Sequence, residues 1–181
     1  MTHLNIDAKI LQDAALFCSK LKTRENLAGI SFKNNNGILE IAGTDGGRLY
    51  LAQRPLEEGE ELDGQIVLKF PKITTKCGPC EITQSGEDYF LTSTTGRALC
   101  EKIDRTFPNY GMIVNPAELP TMKAADYFVA FKWEYLRDLS KVALDLEKKT
   151  PKGTKAIAPH FWETTYMNYK IVCVLMGIYG G

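Results

Sequence analysis

The sequence predicts an α+β chain assembled from modules in which one helix precedes an antiparallel meander. Three observations predict it. Residues 6–21 and 133–146 carry apolar side chains at helical spacing, and most of the remainder is short alternating runs parted by Gly, Asn and Pro turn signals. The order of a helical piece followed by strands then returns about every fifty residues, an internal repeat of structure without an obvious repeat of sequence.

Each element has its own reason. In 6–21, Ile10, Leu11, Ala14, Ala15, Phe17, Cys18 and Leu21 form one stripe, Lys9, Gln12, Asp13 and Lys20 lie off it, and Asp7 suits the cap. The basic residues Lys20, Lys22 and Arg24 follow; a solvated helix end explains them, as does a phosphate contact. Strands are expected at 27–33 and 38–43, joined by Asn34-Asn35-Asn36-Gly37, residues that tolerate left-handed backbone. Thr44-Asp45-Gly46-Gly47-Arg48-Leu49 then turns the chain into a strand at 48–53. Paired glycines leave this turn open to close approach. Arg48 re-enters an apolar context, where its guanidinium needs carboxylates or carbonyls unless it is simply an exposed hairpin residue. Pro55 and the acidic run 57–63 predict an exposed connection.

The second module opens with a strand at 65–70 and a short helical turn at 71–76, and continues with strands at 81–84, 89–93 and 97–103. Prolines at both ends predict that 107–116 is extended. Residues 119–125 read as a linker. The third module is a strand at 127–131, a helix at 133–146 through Leu136, Leu139, Val142, Ala143 and Leu146, a charged loop, and strands near 156–163 and 170–178.

Composition bounds the function. With 181 residues, 44% of them hydrophobic, the chain can bury a real core, and a formal net charge of zero gives no global basic field. No stretch approaches the ~20 apolar residues of a membrane helix, and residues 1–5 carry no secretory signal. Five cysteines without even spacing suit a reducing cytosol, so a cytoplasmic location and no membrane are expected. Cys77-Gly78-Pro79-Cys80 matches the spacing of thiol redox motifs, but no βαβ pattern surrounds it and strand-like residues follow. A thiol redox protein through Cys77 and Cys80 is therefore the lesser alternative. With His3 and His160 the only histidines, and without a metal-ligand cluster, P-loop or nucleophile elbow, no catalytic residue, metal or cofactor is expected, and the chain reads as a non-enzyme.

Three stretches, in order, carry a resemblance: Thr44-Asp45-Gly46-Gly47-Arg48-Leu49, Phe107-Pro108-Asn109-Tyr110 with Ile113-Val114, and Val174-Leu175-Met176-Gly177-Ile178. Together they resemble the bacterial DNA sliding clamp, the β subunit of DNA polymerase III, best over residues 5–116. The resemblance implies a DNA-clamp fold of about one and a half clamp domains: residues 1–119 as a two-module domain like the family's middle one, and 120–181 as half of its last. The family's chain has three domains of two modules each and this one has three modules, so it resembles a reduced clamp; individual positions differ too, with Gly47 where the family usually has His and Gly177 where it has Pro.

In the family these stretches line a hydrophobic pocket for short linear peptides. Carried over, the pocket residues are Thr44, Gly46, Arg48, Leu49, Pro108, Met112, Ile113, Met176 and Ile178; Leu49, Ile113, Met176 and Ile178 would serve equally as plain core. The implied partners are replicative DNA polymerase or clamp-loader subunits, and duplex DNA held without base readout through Lys20, Lys22, Arg24, Lys72, Lys76, Arg137 and Lys141. The resemblance also implies a homo-oligomer and a role as a processivity factor or scaffold in DNA replication. The alternative is an interaction protein or decoy that keeps the peptide pocket without forming a ring.

Overall fold

The computed structural model describes residues 1–21, 23–71, 78–114, 129–130, 132–146, 160–175 and 178–179. The chain runs β1 (His3–Asp7), α1 (Ala8–Phe17), β2 (Ile30–Asn35), β3 (Ile38–Thr44), β4 (Arg48–Pro55), β5 (Gln65–Lys69), β6 (Pro79–Ser85), β7 (Asp88–Ser93), β8 (Gly96–Lys102), α2 (Gly111–Val114), β9 (Val129–Ala130), α3 (Trp133–Leu146), β10 (His160–Tyr166), β11 (Tyr169–Leu175) and β12 (Ile178–Tyr179). Ten strands form one antiparallel sheet in the order β1-β6-β7-β8-β5-β2-β3-β4-β11-β10, and β9 pairs with β12.

The register exposes the repeat that the sequence only hints at. Leu4 of β1 faces Ile82, which faces Leu91, which faces Ala98. Ile66 of β5 faces Phe32, which faces Ile41, which faces Ala52. Each module lends its first strand to the meander of the other, so β1-β6-β7-β8 and β5-β2-β3-β4 are matching quartets. The third module extends the second quartet, with β11 adding to the β4 edge from Lys170 opposite Gln53 to Leu175 opposite Arg48.

Local chemistry places the elements. Asp7 caps α1, its Oδ1 accepting from the Lys9 amide at 2.8 Å. Ile10, Leu11, Ala14 and Phe17 then face the sheet. Helix and sheet meet closest at Gly43, where an added Cβ would lie 2.1 Å from the Ala14 carbonyl oxygen. The β2–β3 turn has Asn36 and Gly37 both at positive φ, +52° and +83°, the geometry that matches strand twist in a two-residue hairpin. Leu139 and Val142 of α3 enter the core that α1 covers.

A second, smaller cluster lies on the opposite face of the sheet. Ala42, Leu49, Leu51, Val67, Val172 and Val174 form its floor, and Phe107 and Tyr110 close it from above, with Ile103, Ile113 and Val114 at its margin. The strap from Ile103 to Val114 therefore crosses the back of the sheet, starting where the Ile103 amide donates to the Val67 carbonyl at 2.9 Å.

Four sequence expectations are corrected. Ile6 and Asp7 belong to strand β1 and not to the helix, and α1 ends at Phe17 before Leu21. Residues 111–114 form a helical turn, not extended chain: the Tyr110 carbonyl accepts from the amides of Ile113 and Val114 at 2.9 and 3.1 Å. The 57–63 connection is not wholly exposed, because Glu60 and Leu62 are buried. On α1, Ala15 is exposed and Asp13 buried, the latter held by Lys9 Nζ at 2.5 Å. The helical turn expected at 71–76 lies outside the described residues beyond Pro71. The expected strand at 127–131 is described only as Val129–Ala130, and α3 has the expected bounds.

Candidate peptide seat and basic face

The hairpin between β3 and β4 is held by its own side chains. Thr44 Oγ1 donates to the Arg48 carbonyl at 2.6 Å and accepts from the Gly46 amide at 3.1 Å, while Asp45 Oδ1 accepts from the Gly47 amide at 2.9 Å. Gly46 sits at φ +89°, a backbone conformation that disfavours a side chain. At Gly47 a Cβ would lie 2.7 Å from the Tyr135 hydroxyl, so the missing side chain admits Tyr135 of α3 over the turn.

Arg48 finds the partners its burial demands. Its Nε donates to Asp45 Oδ2 at 3.0 Å, Nη1 to Asp138 Oδ2 at 2.9 Å and Nη2 to the Leu16 carbonyl at 2.7 Å. The guanidinium lies between the Phe17 and Tyr135 rings, 5.0 and 4.6 Å from their centroids. It thus stands on the helix side of the sheet and ties the hairpin to α1 and α3. Burial raises the Asp138 carboxyl, but hydrogen bonds from Arg48 and Lys141 outweigh it and hold the group below the usual carboxylate range.

Leu49, the next residue, points to the other face and lies opposite Val174 in the second cluster. Ile113 reaches the rim of that cluster from α2. The strap is locked down by Tyr110, whose hydroxyl donates to Glu40 Oε2 at 2.8 Å and whose ring meets Phe107 edge-on at 6.1 Å. Glu40 is buried, and its Oε1 accepts from Gln53 Nε2 at 2.9 Å and Asn35 Nδ2 at 3.2 Å. Burial, then the Glu40 charge, pushes the Tyr110 phenol well above its usual range.

Of the nine residues expected in the pocket, the structure brings Leu49 and Ile113 into one cluster. Thr44 lies opposite Leu49 and is spent on the turn. Gly46 is at the hairpin apex, and Arg48 lies on the helix side with its donors engaged. Pro108 is exposed on the strap. Met112 belongs to α2. Ile178 pairs with Ala130 in β12–β9. Met176 lies outside the described residues, but its neighbour Leu175 faces Arg48, so the third stretch arrives beside the first.

The cations expected at phosphate divide in the same way. Lys20 and Lys141 line one groove of about 650 Å³ together with Lys9 and Lys69, over apolar walls that include Leu16 and Phe70. Lys141 and Arg137 are exposed beside Asp138, at 3.0 and 3.6 Å. Arg24 Nη1 donates to the Asp45 carbonyl at 2.6 Å, bracing the hairpin. Lys22, Lys72 and Lys76 lie outside the described residues. Sequence reasoning missed Tyr135, Asp138 and Glu40; the one signal was the demand of Arg48 for a carboxylate.

Cys80 sits buried within β6, opposite Ile6, and burial raises its thiol above the ordinary value. A redox thiol needs the reverse shift. Cys77 lies outside the described residues. Among the described residues no group of three or more His, Cys, Asp or Glu is placed to hold a metal, and no helix is long and apolar enough to cross a membrane.

No protein-family model matches the sequence, and no curated protein matches it. The chain is similar to solved sliding-clamp structures. It aligns over 100% of its length with 51% of the DNA polymerase III beta subunit of Thermotoga maritima, at 15% identity and a TM-score of 0.48. The DNA polymerase III subunit beta of Pseudomonas aeruginosa aligns with 98% of this chain over 52% of its own, at 18% identity and 0.47. For the DNA polymerase sliding clamp of Bacillus subtilis the values are 98% and 49%, 14% and 0.48. The chain spans about half the length of the structures it matches.

Proposed function

We propose that the chain is a clamp-like, non-enzymatic scaffold that seats a short apolar peptide of a replication or repair protein at the rim of the second cluster and contacts duplex DNA with its helix face. In this reading residues 1–119 act as a two-module clamp domain and 120–181 as half of a second. One observation carries it. The hairpin, the strap and the end of β11, far apart in sequence, converge on one apolar cluster that is buried under Phe107 and Tyr110 and leaves Ile103, Ile113 and Val114 partly exposed at its rim. A patch with adaptable aliphatic walls and polar edges suits a linear peptide. On the opposite side of the sheet, Lys20 and Lys141 share a groove with Lys9, paired to Asp13, and Lys69, paired to Glu101, and the exposed ends of Lys20 and Lys141 suit phosphate contact without base readout. Client polymerase or clamp-loader subunits and a homo-oligomer are the partners this reading names.

A pair of titrations on the full chain tests it. A labelled peptide with leucine and phenylalanine anchors is expected to bind, and Ile113→Asp with Met176→Ala to weaken it at least tenfold, about 1.4 kcal/mol. The same variant is expected to bind a 20-base-pair duplex as the unmodified chain does. Peptide affinity that survives the double substitution, or is absent from the start, refutes the seat.

A further inference from the structure

Asp138 of α3 faces the hairpin, and three cations share it. Its Oδ2 takes Arg48 Nη1 at 2.9 Å; its Oδ1 takes Lys141 Nζ at 3.0 Å and lies 3.6 Å from Arg137 Nε. The arrangement is asymmetric. The side chains of Asp138 and Arg48 are 7% and 6% exposed, whereas those of Lys141 and Arg137 are 51% and 54% exposed. The inner pair is therefore shielded from water and salt, and the outer pair is free to turn toward an external anion. Beyond Arg48 the chain of contacts continues through Asp45 to the Gly47 amide, and Tyr135 covers both, 4.6 Å from the guanidinium carbon and 3.4 Å from Asp45 Oδ1.

We propose that Asp138 is a positioning residue that links the phosphate face to the peptide seat. When an anion draws Lys141 and Arg137 away, Asp138 loses two competing cations and holds Arg48 more firmly. Lifting the hairpin off α3 requires breaking that contact, so the hairpin opens less often. The seat whose floor includes Leu49, the residue after Arg48, then becomes more rigid. An occupied phosphate face thus favours peptide binding, and linkage requires that peptide favours the anion by the same factor. This inference rests on the reading of Lys141 and Arg137 as phosphate contacts, but the Asp138–Arg48 link can be tested without any anion.

Amide hydrogen exchange at Gly46 and Gly47 is the readout, because both amides are held by hairpin side chains and exchange when the hairpin opens. Lys141→Met removes the competing cation and stands in for the anion-occupied state. It is expected to slow exchange at both glycines about fivefold, the lower end of site-to-site coupling. Asp138→Asn is expected to speed exchange, and Lys141→Met added to it to change nothing further. Unchanged exchange in Lys141→Met, or an effect of Lys141→Met that persists in the Asp138→Asn background, overturns the link. A 20-base-pair duplex added to the unmodified chain supplies the second arm, with the same slowing expected. Duplex that binds through Lys141 without slowing exchange also overturns the link. Should duplex fail to bind while Lys141→Met slows exchange, the link stands and the phosphate reading falls.

Discussion

Replacing Arg54 with Met should destabilise the chain strongly, and in a pH-dependent way. The Arg54 and Glu60 side chains are 1% and 0% exposed, and Nη1 and Nη2 meet Glu60 Oε2 and Oε1 at 2.6 Å each. The pair does the work of a missing strand. Arg54 Nη2 donates to the Asn5 carbonyl at 2.7 Å, and Glu60 Oε1 accepts from the Asn5 amide at 2.7 Å, so β1 finds both backbone partners on its free side. Burial raises the Glu60 carboxyl, but the hydrogen bond from Arg54 and the amides of Glu57 and Asn5 outweigh it and bring it below its usual value. A group lowered in this way contributes stability above its unfolded value of about 4.3, and that contribution is lost as pH falls through the folded value.

Removing Arg54 leaves a buried, unpaired carboxylate, at a cost of roughly 3–5 kcal/mol near pH 7. That is a large share of the ~5–15 kcal/mol that holds a domain folded. With the guanidinium gone, burial dominates and the Glu60 carboxyl rises above its unfolded value. The deficit should then shrink as pH falls from 7, because the buried carboxylate takes up a proton more readily in the variant than in the unfolded chain. Urea unfolding of both chains at several pH values measures it. Arg54→Met with Glu60→Gln should keep a deficit, from imperfect packing and lost hydrogen bonds, but lose its pH dependence between 5 and 7. A loss below ~1 kcal/mol, or a deficit in the single variant that ignores pH, refutes the claim that an uncompensated charge is the cost.

Two further outcomes follow from local geometry. Gly43→Ala sets a Cβ against the Ala14 backbone, which cannot swing aside, and should lower the unfolding temperature by about 2–12 °C for roughly 1–3 kcal/mol of overpacking; an unchanged melt would mean that α1 is free to shift. His3 sits between the Gly59 carbonyl at 3.0 Å and Glu81 at 2.8 Å, and these two acceptors raise its pKa. Its contribution is full below the unfolded value of about 6.5 and fades as pH rises through the folded one. Being partly exposed, it should be worth less than ~1 kcal/mol, read as the difference between His3→Gln and the unmodified chain at pH 5.5 and 8.5.

How much of this was legible depends on whether an element's reason is local. The α3 bounds were readable because Leu136, Leu139 and Val142 repeat on one face, and the Asn36-Gly37 turn because two adjacent positions need positive φ. β1 was not, because Ile6 and Ile10 stand four apart and extend the helical spacing of α1 backward into what is strand. α2 was hidden by the prolines beside it, since one carbonyl, that of Tyr110, suffices to hold a four-residue turn. The buried charges were least legible. Tyr110 and Glu40 are 70 positions apart, Arg48 and Asp138 are 90 apart, and nothing in either neighbourhood names the other. At the candidate site Leu49 and Ile113 are the expected residues that meet in one cluster, whereas its other floor residues Ala42, Leu51, Val67 and Val172 lie outside the three resembling stretches, and the polar framework of Asp138, Tyr135 and Glu40 arises only from packing.

That framework bears on how the chain divides. The sequence expectation splits it at 119/120, and extensive strand pairing runs across that point. β11 pairs with β4 through six consecutive residues, and Val172 and Val174 share an apolar floor with Leu49 and Leu51 under the same strap. Arg48 repeats the connection on the other face by joining the hairpin to α1 and α3. Two units that share a sheet, a core and a buried ion pair do not rock freely as units joined by a small polar interface do. A seat formed where they meet is therefore set by strand register and by the strap, not by closure around a ligand. Its affinity should then respond to changes that loosen the hairpin or the strap, even when no contact residue is touched.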